Sequence, residues 1–308
     1  MRYYVTEPTY TIAAFYRFMP LTQLDRLQKH IRHAATSLCI KGTIIFGPEG
    51  VNGTIAGPKQ SIVTFKQLMA SKLETDQIEY KYSASSHNPF LRLKIKLKRE
   101  IVTIGIDTVD PQCIVGEYVK PNEWNQLITS PDVLLIDTRN DYEYAIGTFK
   151  GAINPNTQTF REFPNYIKTN ISDRKKDKLA LFCTGGIRCE KATSYLKTLD
   201  FEQVYHLEGG ILKYLEEIPE SESLWQGECF VFDNRVAVNH RLEPGSYDQC
   251  YACRMPITQA DKHHPHYLHG VSCPNCFHTK SHQDKQRYKQ RQRQCELAKQ
   301  RHEQHLGS

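Results

Sequence analysis

The 308-residue sequence has no apolar run of about 18 residues, and a mean hydropathy of −0.56 argues against a membrane-spanning helix. The opening stretch, "MRYYVTEPTY", lacks the basic-then-apolar layout of a secretory leader, so the cytoplasm is the expected location. No two-histidine-one-carboxylate set, flavin fingerprint or haem motif is evident, and no organic cofactor is recognised. In a reducing compartment the ten cysteines cannot be a disulfide framework, which leaves catalytic, metal-binding or buried roles.

What is present is enough chain for two or three domains, each with its own core. The first third reads as short strands alternating with helices. "TIAAFYRF", "IKGTIIFG", the return after "PEGVNG", "QIEYKYSAS" and "LRLKIKLK" are strands, and "LTQLDRLQKHIRHAATSL" and "SIVTFKQLMASK" are helices. This βαββαβ order with an added strand predicts a ferredoxin-like, acylphosphatase-like domain over residues 1–120. In "FLRLKIKLKRE", Leu91, Leu93, Ile95 and Leu97 point one way and Arg92, Lys94, Lys96 and Lys98 the other. The cationic row is either protection of an edge strand or a surface that tracks phosphates. Phe15, Tyr16 and Phe18 on the first strand suit a core, with stacking on an extruded base as the alternative.

After Pro121, strand-like "DVLLIDTR", "LALF" and "VYHLEGG" alternate with helical segments, predicting an α/β domain over residues 121–222. Residues 223–249 read as a connecting segment. "CYAC" and "CPNC" then give Cys250, Cys253, Cys273 and Cys276, two Cys-x2-Cys pairs nineteen residues apart, which is zinc-ribbon spacing over residues 250–280. A structural zinc is therefore a candidate cofactor; four merely clustered free thiols is the alternative. His263, His264, His266 and His269 are further ligands or plain surface residues. Residues 280–308 hold eight Lys/Arg against three acids, close to the whole net charge of +6. With few apolar residues, positions 281–308 are expected to be a basic, disordered tail or at most a frayed helix, open to polyanions.

The segment with most chemistry is "ALFCTGGIRCEKA". Cys183 sits where a strand ends, the crevice in which α/β sheets bind ligands. Thr184, Gly185, Gly186, Ile187 and Arg188 must wrap the sulfur and enter a helix, and the glycines permit the angles this takes. Converging N–H groups and the Arg188 charge should depress the Cys183 pKa and favour a thiolate or a bound anion. The loop is one residue shorter than the Cys-x5-Arg loop of cysteine phosphatases, a cradle better sized for sulfur. Cys189, one turn on, is either a resolving thiol or a small core residue.

"DVLLIDTRNDYEYAIGTFKGAINP", "LFCTGGIRCEKATSYL" and "VYHLEGGI" resemble a rhodanese domain with its active-site cysteine. With "KGTIIFGPEGVNGTIAG" upstream and "WQGECFVFDNRVAVNH" downstream, the chain to about residue 280 resembles the rhodanese-like tRNA uridine hydroxylases. The resemblance implies oxygen-dependent hydroxylation at C5 of uridine 34, the wobble position, with Cys183 catalytic, tRNA as partner and molecular oxygen as co-substrate. Many rhodaneses carry "GHI" after the first helix; here the residues are Gly147, Thr148 and Phe149, so no histidine can act at that place. Two rivals stand beside this function. A small-molecule sulfurtransferase explains only the thiolate, and a non-catalytic RNA-binding module leaves Cys183 without a purpose.

Overall fold

The computed structural model describes residues 10–301. The first domain contains β1 (Tyr10–Phe18), α1 (Leu24–Ser37), β2 (Lys41–Gly47), β3 (Gly50–Pro58), α2 (Lys59–Leu73), β4 (Glu79–Ser85) and β5 (Leu93–Leu97). Its sheet runs β4-β1-β3-β2-β5, antiparallel except where β5 joins β2 in parallel. This is the expected ferredoxin-like sheet plus one strand. Period-two alternation sends Ala13, Phe15, Ile44, Phe46 and Ile55 against Ile31, Ala35, Ile62, Phe65 and Met69 of the two helices. Among the described residues no helix covers the opposite face, which looks toward the second domain. The β2–β3 turn needs glycine: Gly50 has φ +144°, and a Cβ there would lie 2.0 Å from the Arg17 carbonyl.

The second domain contains β6 (Glu117–Val119), α3 (Pro121–Ile128), β7 (Val133–Asp137), α4 (Asp141–Tyr144), β8 (Gly147–Phe149), α5 (Phe163–Asn170), β9 (Lys178–Phe182), α6 (Ile187–Thr198), β10 (Gln203–Leu207) and α7 (Gly210–Glu217). Its sheet is parallel, in the order β6-β10-β9-β7. β6 pairs with β10, so the strand before residue 120 belongs to this sheet and not to the first domain. Strand β9 is buried on both faces: Leu179 and Leu181 enter the core with α5 and α6, and Ala180 and Phe182 enter the core with α3 and α7. In the latter core Phe149 meets the rings of Phe182, Tyr214 and Trp225 edge-on at 4.9, 4.8 and 5.2 Å.

The 223–249 stretch is more than a connector. It forms β11 (Trp225–Gly227), which pairs with β8, and the hairpin β12 (Cys229–Phe230) and β13 (Ala237–Val238). The cysteine segment adds β14 (Asp248–Gln249), β15 (Pro256–Ile257) and α8 (Gln259–His263).

The expected disordered tail is instead a helix, α9 (His282–Gln300); residues 302–308 lie outside the described residues. Ser281 caps it by accepting from the Asp284 N–H, and straight-chain Lys, Arg and Gln have good helix propensity. Arg291 ties it down by donating to the carbonyls of Tyr251 and Gly270, at 2.8 Å each. Low hydrophobicity told against burial, and α9 indeed buries only Ala298; it did not tell against helix formation.

The first two domains are clasped at a buried ion cluster. Lys191 of α6, 1 % exposed, reaches Glu49 of the β2–β3 turn at 2.8 Å and Glu100 at 2.6 Å. A helix with Arg188 and Lys191 buried is apolar on no single side, which is why its sequence shows no clear amphipathic stripe.

Candidate active site

Strand β9 delivers Cys183 at the carboxyl edge of the parallel sheet, wholly buried. The Gly186 N–H donates to its sulfur at 3.1 Å. Gly186 has φ +100°, and a Cβ there would meet the Tyr16 hydroxyl at 2.7 Å, so conformation and domain contact both require glycine. From below, the first amides of α7 hold the loop: Ile211 N–H donates to the Cys183 carbonyl at 2.9 Å and Leu212 N–H to that of Thr184 at 3.1 Å.

Burial by itself disfavours a thiolate here. The Cys189 thiol, the Arg188 charge and the Cys189 and Gly186 N–H groups outweigh it, and Cys183 is pulled down to about 5. Cys189 moves the other way: burial and the neighbouring anion push its thiol well above the ordinary range. It therefore keeps its proton beside the Cys183 sulfur, and it packs in the α6 core with Thr138 Oγ1 3.6 Å from its own sulfur.

Arg188 works on the sulfur through its charge and is not an open anion clamp. Its two terminal nitrogens form a fork on buried Glu143, at 2.7 and 2.8 Å. Burial would raise the Glu143 carboxyl, but Arg188 overcomes this and holds it below its usual range. Sequence reasoning passed over Glu143. The available signal was the capping-box pattern at the start of α4, in which the Glu143 carboxylate accepts from the Asn140 backbone N–H at 3.2 Å. Thr148, standing where many rhodaneses have histidine, donates its hydroxyl to buried Asp137 at 3.0 Å. Asp137 also forks onto Arg139, at 2.9 and 2.6 Å, so "DTR" is a structural motif.

Cys183, Thr184, Gly185, Ile187 and Arg188 form one wall of a cavity of about 400 Å³. The facing wall is the helix-free side of the first domain's sheet: Ile12, Ala14 and Tyr16 of β1, Thr43 and Ile45 of β2, Asn52 and Thr54 of β3, Lys81 and Ser83 of β4. Thus Tyr16 lines the cavity, while Phe15 packs into the helix-side core and reaches the cavity lining as well. Val231, Phe232, Asp233 and Arg235 close a third side. Arg235 forks onto Asp233, at 2.9 and 2.6 Å, and donates to Ser83 at 2.7 Å, stitching this strap to β4. The Asp-x-Arg pattern of "DTR" recurs in "DNR" and was the signal available for that pair. Phe232 is 60 % exposed at the rim, 5.8 Å from the Arg188 guanidinium.

The cationic row lies on the same side. In the β2–β5 ladder Lys94 sits opposite Thr43 and Lys96 opposite Ile45, which places both lysines on the cavity face of the sheet, at its edge. Partial burial, and after it the charges of Arg92, Lys96 and Arg254, lower the Lys94 ammonium. The β5 edge itself is met by α1, whose Gln28 and Arg32 donate to the Ile95 carbonyl at 2.9 and 3.1 Å. Edge protection is accordingly a weaker reason for the row.

The sulfurs of Cys250, Cys253, Cys273 and Cys276 all lie within 4.8 Å of one another. Cys250–Cys276, Cys253–Cys273 and Cys273–Cys276 are 3.9, 3.7 and 3.8 Å apart. A tetrahedron with zinc–sulfur bonds of about 2.3 Å has edges of about 3.8 Å, so the donor set fits zinc in size and chemistry. None of the histidines belongs to the set.

Residues 10–101 match the family model described as the UPF0176 acylphosphatase-like domain, and residues 120–217 match the rhodanese-like domain. The chain has the domain architecture of the rhodanese-domain tRNA uridine hydroxylase family. Several solved structures are similar to part of the chain. A rhodanese-like domain from Anabaena is 16 % identical over 36 % of this chain and 78 % of its own (TM-score 0.31). A rhodanese-related protein from Thermoplasma volcanium is 24 % identical over 33 % and 92 % (0.28). A human single-domain sulfurtransferase is 23 % identical over 34 % and 99 % (0.30). No described helix is long and apolar enough to cross a membrane.

Proposed function

We propose that the protein hydroxylates C5 of the wobble uridine 34 in tRNA, in a cytoplasmic, oxygen-dependent reaction that uses Cys183. The observation that carries this reading is the site's construction: the Cys183 loop opens into a cavity shared by two domains, and the sheet that forms one wall continues at its edge into Lys94 and Lys96, which Arg92 and Lys98 flank in sequence. A sulfurtransferase for small donors needs the loop alone. A base on a polyanion needs a pocket and a row of cations beside it, and this arrangement supplies both. About 400 Å³ falls within the range of about 300–1,000 Å³ usual for small-ligand pockets. An anticodon-loop base is single-stranded, so extruding it costs little.

In this reading the Cys183 thiolate is the nucleophile, adding to the pyrimidine ring. Arg188, Gly186 and Cys189 keep it deprotonated, and the apolar walls keep water from competing. Zinc on the four cysteines would brace the C-terminal segment. Mass spectrometry of tRNA nucleosides from cells with and without the chain tests the proposal. Loss of hydroxylated uridine supports it, loss of thiolated uridine supports a sulfurtransferase, and no change supports a non-catalytic RNA-binding role.

A further inference from the structure

Three cationic side chains line the cavity: Arg188, Arg235 and Lys81. The first two have their donors committed, Arg188 to Glu143 and Arg235 to Asp233 and Ser83. Lys81 differs. Its side chain is 9 % exposed, and its ammonium is buried without a hydrogen-bond partner; the nearest carboxylate oxygen, on Glu79, is 3.6 Å away. The amine lies 5.2 Å from the centre of the Tyr16 ring, the same residue whose hydroxyl abuts Gly186 of the Cys183 loop. A buried cation with unused donors is costly to keep, and such a group in a reactive cavity is poised for an oxygen the substrate brings.

We propose that Lys81 is a second catalytic residue, donating to the carbonyl oxygen of the pyrimidine that takes up negative charge when Cys183 adds to the ring. This rests on the wobble-uridine reading. The Cys183 lone pair forms the S–C6 bond, the C5=C6 electron pair moves toward C4 and charge gathers on O4. The Lys81 proton passes to O4, leaving a neutral amine and a neutral thioether adduct. Reversal through C5 involves only solvent: a deuteron is captured at C5, the proton is returned to Lys81, the original C5 proton is lost to solvent and the thiolate is expelled. No oxidant enters this step. It leaves deuterium at C5.

The groups facing the amine set its pH behaviour. Burial lowers it and Lys213 lowers it further, while Glu79, Cys183 and Glu190 oppose them; the net result is below the ordinary lysine range. Exchange should rise as pH climbs through the Cys183 value of about 5, and fall when Lys81 loses its proton.

The experiment incubates the full-length protein with a synthetic anticodon-arm RNA hairpin carrying uridine at the wobble position, in deuterium oxide under nitrogen. Deuterium at C5 is read by mass spectrometry, beside RNA affinity and Cys183 alkylation. Lys81→Met should slow exchange about 100-fold, the scale of a lost acid–base group, with Cys183 still alkylated and RNA still bound. Lys81→Gln keeps a neutral donor; it should retain part of the rate and lose the alkaline fall. Exchange at the wild-type rate in both variants, or a Lys81→Gln profile that still falls at high pH, overturns the lysine's role alone. A wild-type protein that binds the hairpin and exchanges nothing overturns the addition step itself, and the proposal with it.

Discussion

Replacing Cys183 by Ala should remove a pH dependence of stability whose size follows from the loop. The folded thiol is pulled down to about 5, while an unfolded cysteine titrates near 8.5. The sign follows from linkage: a depressed folded value contributes stability that is complete above about 8.5 and is lost as pH falls through about 5. Inside that window wild type gains about 1.4 kcal/mol per pH unit over the variant, hence about 2.7 kcal/mol between pH 6 and pH 8. Both tryptophans, Trp124 and Trp225, lie in the central domain's core, so their emission in urea follows this domain. Titrating groups away from Cys183, the metal-site thiols among them, cancel in the difference between the two proteins. Alkylation gives an independent check, provided the shape of the profile is read and not the rate at one pH. At pH 6.5 the thiolate fraction favours Cys183 about 100-fold over an ordinary thiol, but a weaker base is a weaker nucleophile, and a Brønsted slope of about 0.45 returns most of that gain. The inflection survives this compensation: site-resolved labelling should level off above about pH 6 at Cys183, while exposed Cys113, pushed up by Asp110, keeps accelerating. A Cys183 rate still climbing tenfold per unit at pH 8, or parallel stability curves for the two proteins, refutes the stabilised thiolate.

Three more outcomes follow from the geometry. Elemental analysis should find one zinc per chain, and Cys273→Ser should lose it together with protease resistance in residues 250–276; a metal-free protein with that segment still protected speaks against the site. Glu143→Ala strands a buried guanidinium and should cost about 3–5 kcal/mol in urea melts, with much of it recovered in Glu143→Leu/Arg188→Met; a loss under about 1 kcal/mol shows that the pair is solvated. Lys94→Ser/Lys96→Ser should weaken tRNA binding and lower the salt slope by about two contacts without altering the Cys183 alkylation profile; an unchanged slope moves the tRNA site elsewhere, α9 being the next basic surface.

The cysteine loop, the two Cys-x2-Cys pairs and both domain folds were legible in the sequence because each rests on local rules: strand alternation, glycine permissiveness and the spacing of thiols that share an ion. Cys183 at a strand end needed no distant residue to be recognised. Lys81 could not be found that way. In sequence it is one lysine in a polar strand, "EYKYS", and its meaning depends on β4 pairing with β1 so that it shares a face with Tyr16, on that face meeting the Cys183 loop, and on Arg188 being occupied by Glu143 and Arg235 by Asp233 and the distant Ser83. Glu143 shows the same limit: its capping box is local, but its hold on Arg188 spans 45 residues. The tail erred in the opposite direction, since composition speaks to burial and α9 is held by its cap, its propensity and one arginine reaching two carbonyls. Local sequence thus determined which segments carry chemistry. Only the packing of one domain's open sheet face against the other's loop decided that, among the described cations of the cavity, Arg188 and Arg235 are hydrogen-bonded to neighbours and the Lys81 ammonium is not, because a donor's availability depends on everything around it and not on its place in the chain.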